Sequence, residues 1–262
     1  MTLSSNPDSS TESVGRVRSP RTPPQKWQSA VVLEVIKEAP DAVTLRLQLS
    51  ETSGFVAGQY YNVRLDVAGR PRPIQRSYSV GSAPLPDPFV IDLGIKETPG
   101  GLISPRLVRD FDLGSRLEVR GPTGRFTWTG DDREPVLLVG AGSGVVPLMS
   151  MVRFASASGL EIPVTLVCSS ITYDHAFYRE ELALLATQHC WLRVVHSVTR
   201  DPHETRALYH RRIDATMLSE VLNGTIPPHA YLCGPPAMVE TAAAALNEFG
   251  VNPERVYSEK YD

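Results

Sequence analysis

At Pro135 the pattern of the chain changes, and the two halves it separates cannot share one architecture. Before it, short β-branched runs follow one another at residues 31–36, 43–49, 61–67, 89–95 and 116–119. Several alternate polar with apolar side chains, as Thr44-Leu45-Arg46-Leu47-Gln48-Leu49 does. Turn chemistry separates the runs at Ala39-Pro40-Asp41, at Ala68-Gly69-Arg70-Pro71 and across 84–88. Many short strands at this spacing predict an antiparallel barrel or sandwich. After Pro135, near-continuous apolar runs at 136–139, 164–167, 192–195 and 231–233 alternate with helical stretches near 145–157, 175–188, 214–223 and 236–249. Strands of that kind are buried on both faces, which predicts a doubly wound parallel sheet between helices.

The boundary between these patterns falls near 127–133, where Gly130-Asp131-Asp132 reads as an exposed linker. The domains expected are therefore 27–127 and 133–262, and 262 residues suffice for two cores. Residues 1–26 are rich in serine, threonine and proline, with arginines between Arg16 and Arg21. They can bury no apolar face and are expected to form a disordered, solvated tail; without an apolar segment they do not read as a secretory signal. No apolar run approaches the about 18 residues that suggest a membrane span. A net charge of −3 gives no footprint for nucleic acid or an anionic membrane. The three cysteines, Cys168, Cys190 and Cys233, form no CxxC pair, so neither a metal site nor an iron–sulfur cluster is expected within the chain. Their sparse pattern fits a reducing compartment, here read as the cytoplasm.

Three segments carry phosphate-binding chemistry. The run 136–139 enters Gly140-Ala141-Gly142-Ser143-Gly144-Val145-Val146-Pro147 and then a helical stretch. Glycines permit a tight turn and close approach of an anion, toward which the helix directs free N–H groups. A structural turn uses the same residues, and the strand–loop–helix context is what favours a ligand. Neither a Walker A loop nor the usual dinucleotide fingerprint is present. In the β-rich half stands Arg76-Ser77-Tyr78-Ser79. Further on, Gly100-Gly101-Leu102-Ile103-Ser104-Pro105-Arg106 reads as a helix start, with Ser104 at the N-cap and Pro105 first in the helix. The amides before it form a second candidate cradle. Two cradles in two domains imply two phosphorylated cofactors meeting at their interface.

These motifs, with Gly121-Pro122-Thr123-Gly124, Cys233-Gly234-Pro235-Pro236-Ala237-Met238 and Glu259-Lys260-Tyr261, occur in the order found in one family. From Trp27 onward the chain resembles the FAD-binding ferredoxin–NADP reductases, and most of all the short bacterial oxidoreductases without an attached iron–sulfur domain. The resemblance implies a Greek-key barrel for FAD followed by a nicotinamide-nucleotide domain. It implies hydride transfer from NADPH or NADH to the flavin, with the electrons then leaving singly. By position, Tyr78 would pack on the isoalloxazine ring and Ser79 would hydrogen-bond near its N5. Arg76 would pair with the flavin pyrophosphate, beside Ser77 and aided by Gly100, Gly101, Leu102, Ile103 and Ser104, while Ile95 and Lys96 run past the flavin. Gly142, Ser143, Gly144, Val145 and Val146 would hold the nicotinamide cofactor's pyrophosphate, with Ser169, Gly234, Pro235 and Met238 in the same site. Ser79, Cys233, Glu259 and Tyr261 would stand at the reacting rings, Tyr261 as the C-terminal aromatic over the flavin. Cys233 read by itself also suits a small apolar filler at a strand end. Met149 and Met151 read as core, and the histidines show no ligand spacing.

Two departures from the family pattern bear on function. NADPH-using relatives commonly place an arginine after the second strand of the nucleotide domain, where this chain has Ser169-Ser170-Ile171. Isoleucine cannot pair with a 2′-phosphate, but Arg200 and Arg211 or Arg212 offer the charge, and no carboxylate ends the strand to favour NADH. The expectation therefore tilts to NADPH. The chain also reaches Asp262 without a cysteine-rich segment, so the expected acceptor is a separate protein: a ferredoxin, an oxygenase, a cytochrome P450 or a molybdenum oxidoreductase. Alternatives are a diaphorase or flavin reductase acting on small molecules, and a non-catalytic electron-transfer subunit. FMN is the alternative to FAD, and a monomer is expected.

Overall fold

The structure, a computed structural model, describes residues 25–51 and 54–261. Most of the expected tail lies outside the described residues. Gln25 is within them, and its side chain donates to the Pro122 carbonyl at 2.6 Å.

The first half is the antiparallel barrel that the alternation predicts. Its strands are β1 (Gln28–Ala39), β2 (Ala42–Leu49), β3 (Tyr60–Leu65), β4 (Ile74–Ser79), β5 (Val90–Lys96) and β6 (Arg116–Thr123), in the order β4-β3-β6-β1-β2-β5. β6 returns between β1 and β3, the Greek-key step, and a bridge between Val80 and Leu93 brings the two ends of the sheet together. Inward residues such as Leu45, Leu47, Val63, Ile91 and Leu93 are fully buried. The short helix α1 (Ser104–Arg109) packs on this core through Leu107.

The second half is a parallel sheet of β7 (Val136–Ala141), β8 (Val164–Ser170), β9 (Leu192–Val198), β10 (His229–Gly234) and β11 (Val256–Lys260), ordered β11-β10-β7-β8-β9. Helices α2 (Val145–Ala157) and α3 (Arg179–Gln188) cover one face. Helices α4 (Ala215–Leu222) and α5 (Pro236–Glu248) cover the other. Strand order reverses between β7 and β10, so a crevice opens beyond their carboxyl ends, where doubly wound sheets bind ligands.

Some expectations need correction. Two strands, β4 and β11, were absent from the predicted set. The sequence IQRSYS of β4 is intermediate or exposed at every position and offers no alternation to read. The helix expected over 175–188 starts only at Arg179, because Tyr178 adopts a left-handed conformation (φ 57°) after a single turn at Tyr173–His175. The expected N-cap is displaced by one residue: Ile103 holds that position and Ser104 is already helical. Ser104 Oγ instead accepts from the Thr98 amide at 3.0 Å, closing the loop that leads into the helix. The linker is less isolated than expected too. Trp128, at 3% exposure, packs edge-on to Phe154 of α2 within the core of the second half.

Candidate functional site

Two clefts adjoin where the halves meet. The first, of about 470 Å³, is lined on the barrel side by Tyr60 of β3, Arg76, Ser77, Tyr78 and Ser79 of β4, Gly94 and Lys96 of β5, and Thr98 and residues 101–104 of the segment that follows. Cross-strand pairing of Tyr60 with Ser79 brings the β3 aromatic beside the β4 motif. The second half contributes Ser143, Cys233, Glu259, Lys260 and Tyr261. Parallel pairing places Cys233 directly opposite Glu259, so the register of β10 and β11 unites two residues 26 positions apart.

The donor set of this cleft suits an anion carrying an aromatic body. Arg76 has no carboxylate partner among the described residues and donates only to the Gln75 carbonyl, at 2.8 Å. The amides of Leu102, Ile103 and Ser104 have no acceptor among the described residues, whereas that of Gly101 is taken by the Thr98 carbonyl at 2.8 Å. Of the expected amides, Gly101 is therefore not available. Burial pushes the Tyr78 phenol up, and it stays neutral as an apolar wall. Burial also raises the Glu259 carboxyl. The Cys233 thiol is pushed up by its own burial and by the charge of Glu259, so it is not a thiolate nucleophile.

The second cleft, of about 610 Å³, opens beyond the carboxyl ends of β7, β8 and β9 and is shared with the first through Lys96, Ser143 and Tyr261. Its lining includes Gly142, Ser143, Ser169, Ser170, Ile171, Thr199, Pro235, Ala237 and Met238, with Arg200, Arg211 and Arg212 and, among the described residues, no carboxylate. Arg211 is engaged with Asp214 and Glu220, at 3.8 Å and 3.3 Å. Arg200 and Arg212 have no ion-pair partner among the described residues. The amides of Gly142 and Ser143 likewise meet no acceptor there. Unpaired amides and guanidinium groups around a carboxylate-free crevice fit a polyphosphate.

The glycines of the loop have separate tasks. Gly142 turns the chain at φ 56°. Gly144 makes room for β10, since a Cβ there would stand 2.1 Å from the Cys233 carbonyl oxygen. Its amide donates to the Tyr261 hydroxyl at 2.7 Å, and that hydroxyl donates in turn to the Ala141 carbonyl. The C-terminal tyrosine thus plugs into the loop, and burial pushes its phenol up to about 12.

Most residues singled out from sequence meet in these clefts, but six do not line them. Ile95 points into the barrel core, and Val145 and Val146 are buried against the second core. Gly100 and Gly234 shape turns at positive φ, and Gly144 is committed as described. Residues missed from sequence include Tyr60, Gly94, Thr98 and Lys260 in the first cleft, and Ala141, Thr199 and Thr241 in the second. The adjacency of Tyr60 and Tyr61 held a partial signal, since alternation points one inward and the other outward.

The histidines also hold a surprise. His229, at the start of β10, lies 2.7 Å from Asp132 and 2.9 Å from Glu134, with Arg255 2.6 Å from Glu134. This cluster sits at the opposite end of β10 from Cys233 and already contains a guanidinium as its cation. A separation of 97 positions concealed it from spacing rules.

Comparison with known proteins gives two family matches: an oxidoreductase FAD-binding domain over residues 29–128 and an oxidoreductase NAD-binding domain over 138–244. The chain is 28% identical over 244 residues to the ferredoxin–NAD(P)(+) reductase component of the naphthalene 1,2-dioxygenase system of Pseudomonas putida, covering 92% of this chain and 70% of that protein. It is 31% identical to ferredoxin–NADP reductase B of Sorangium cellulosum, covering 79% of this chain and 86% of that protein. Among solved structures, the Amycolatopsis cytochrome P450 reductase GcoB superposes with a TM-score of 0.80 at 29% identity, over 95% of this chain and 73% of that one.

Proposed function

Since the chain belongs to the FAD-binding ferredoxin–NAD(P) reductase family and is an NAD(P)H-dependent flavoprotein oxidoreductase, we propose that it prefers NADPH and delivers electrons to a separate iron–sulfur or haem protein. The observation that carries the reading is the meeting of two anion-binding clefts at Lys96, Ser143 and Tyr261. When bound, FAD supplies a two-electron acceptor that releases its electrons one at a time. The chain supplies binding, orientation and a dry cleft.

In this reading residues 27–127 hold FAD. Tyr60 and Tyr78 wall the ring, Arg76 and the amides of 102–104 meet its phosphates, and Ser79 supplies a hydroxyl at the ring edge. Residues 133–262 hold the nicotinamide nucleotide, with the amides of Gly142 and Ser143 at its pyrophosphate. Arg200 and Arg212 take the 2′-phosphate in place of the arginine that Ile171 replaces. Cys233 and Glu259 floor the junction where the two rings come together, and neither is assigned as a nucleophile. The names of the similar proteins support a ferredoxin, an oxygenase component or a cytochrome P450 as acceptor. No described helix is long and apolar enough to cross a membrane, and we read the chain as a cytoplasmic monomer.

The test is spectroscopic. The purified protein is expected to be yellow, to release FAD rather than FMN on extraction, and to bleach anaerobically with NADPH. A colourless protein that gains no flavin spectrum with added FAD overturns the reading. The ratio of kcat/KM for NADPH to that for NADH is expected to exceed about 10, and a strong NADH preference removes the roles given to Arg200 and Arg212. Reduction of a free quinone or flavin much faster than any protein acceptor would mark a diaphorase.

A further inference from the structure

The helix that follows the glycine loop reaches the barrel along a single face. Val146, Ser150 and Arg153 of α2 are spaced four and three residues apart, which aligns them in one row. Ser150 Oγ donates to the Ser82 carbonyl at 2.7 Å. Arg153 Nη1 donates to the Gly81 carbonyl at 2.8 Å and lies 3.5 Å from Asp92. Its Nε donates to Glu181 of α3 at 2.8 Å. The barrel side of the seam is glycine. A Cβ at Gly94 would stand 2.4 Å from a Val146 methyl, and one at Gly81 would stand 2.5 Å from the Tyr178 hydroxyl. The halves therefore interlock without slack.

What the seam joins gives it meaning. Its helical end begins directly after Gly142–Gly144, which carries the anion-binding amides of the second cleft. Its barrel end, Gly81 and Ser82, begins two residues beyond Ser79 in the first cleft. A rigid helix thus bridges the two binding floors. We propose that Arg153 is a positioning residue whose guanidinium holds α2 and the glycine loop at a fixed separation from β4, and so sets how the two cofactor rings meet. This rests on the reading of the clefts as FAD and NADPH sites.

The chemistry of the side chain supports the role. Arg153 reaches the Gly81 carbonyl, Asp92 and Glu181, which belong to both halves, and only a planar fork serves all three at once. Its removal leaves both of its ion-pair partners provided for. Asp92 keeps a two-pronged contact with Arg46, at 2.9 Å and 3.1 Å, and Glu181 is 40% exposed. The seam can therefore loosen while the fold stands. Reacting atoms must approach to about 3–3.5 Å, and a 1 Å misplacement costs on the order of 100-fold, so the hydride step registers such loosening before binding does.

The experiment compares the flavin-loaded parent with Arg153→Ala and Arg153→Lys. At saturating NADPH, anaerobic flavin bleaching is expected to slow by about tenfold or more in Arg153→Ala, and by less in Arg153→Lys. FAD content and the Kd for 2′,5′-ADP are expected to stay within about twofold of the parent, as positioning is separable from binding. Hydrogen exchange at amides 80–82 and 146–153 is expected to quicken, a readout that needs no turnover. Bleaching within about twofold of the parent in both variants overturns the proposal. So does loss of FAD or 2′,5′-ADP binding in step with the rate, which would make Arg153 a general structural residue. If Arg153→Ala does not fold, Ser150→Ala stands in, with an expected slowing of about two- to fivefold from one lost neutral hydrogen bond; no slowing overturns the proposal. A parent that binds neither FAD nor 2′,5′-ADP refutes the functional reading, and the inference with it, before any variant is made.

Discussion

The two clefts present their hydrogen-bond donors and cations by different means. The barrel cleft draws its walls from β3, β4 and β5, a loop and the distant β11, and offers one unpaired guanidinium, Arg76, on a strand. The second cleft is built from loops at the carboxyl ends of neighbouring parallel strands, and spreads its donors over Arg200, Arg212 and the loop amides. A site assembled by long-range register concentrates binding in few side chains. A site assembled at a sheet edge distributes it. Single replacements should therefore be severe in the first cleft and graded in the second.

The sharpest way to break that contrast is Arg76→Ala. Loss of a charge-assisted contact to a diphosphate costs about 3 kcal/mol, so FAD affinity should fall about 100-fold. Binding of 2′,5′-ADP should be unaffected. Titration of the apoprotein with FAD, followed by flavin fluorescence, measures the first, and calorimetry the second. Tight FAD binding by this variant would erase the asymmetry between the clefts.

A second contrast concerns acid. All six histidines lie at or beyond His175, in the parallel half. His196 of β9 is 8% exposed, its Nδ1 has no hydrogen-bond partner among the described residues, and burial holds its pKa down at about 4. A depressed histidine stabilises the fold fully above its unfolded value of about 6.5, and that contribution is lost as pH falls toward 4. By pH 5 the parent should have lost about 2 kcal/mol from this residue alone. His196→Phe should not show that part of the decline. Urea unfolding at pH 7 and pH 5 gives the difference; equal declines in parent and variant would exclude His196 as the acid-sensitive group.

In the second cleft the expected effect is smaller, because its donors share the load. Arg212→Ala should lower the NADPH-to-NADH ratio of kcat/KM about tenfold, with Arg200 retaining part of the 2′-phosphate contact. The double replacement should go further, and NADH kinetics should hardly move. A 100-fold loss from Arg212 alone would mean that this cleft is as concentrated as the barrel's.

The same contrast governs what was legible in the sequence. Parallel strands, helices and the glycine loop could be read because each is a local pattern: an apolar run, a helical period, a strand entering glycines. Predicted and observed helices agree closely at α2, α4 and α5 for that reason. The barrel cleft was legible from its residues only at the cradle before Pro105, and otherwise through resemblance. Polar β4 has no buried alternation, and Tyr60 joins Ser79 by cross-strand register alone. The seam was hidden for a related reason: Val146, Ser150 and Arg153 announce a helix face, but their partners Gly81, Ser82 and Gly94 lie on another domain. Glycine signals were ambiguous in kind as well. Gly144 looks like a phosphate-facing residue in sequence, yet its missing Cβ accommodates the Cys233 carbonyl and its amide serves Tyr261.

Tyr261 is the point where the two clefts touch, and it carries the finest prediction. Its ring lines both, while its hydroxyl links the Gly144 amide to the Ala141 carbonyl. Tyr261→Phe keeps the ring and deletes those bonds together with the hydroxyl's contact to the Ser143 side chain, at a cost of about 1 kcal/mol in stability. The same change frees the Gly144 amide beside two that already lack acceptors among the described residues. An additional amide aimed at a phosphate should tighten 2′,5′-ADP binding by about two- to fivefold, while FAD content stays constant. Since the phenol is pushed up to about 12, the gain should be flat from pH 6 to pH 9. Calorimetry at both pH values decides the matter. Weaker binding in the variant would mean that the hydroxyl orders the loop for its ligand, and the clefts would then be coupled through Tyr261 rather than merely adjacent.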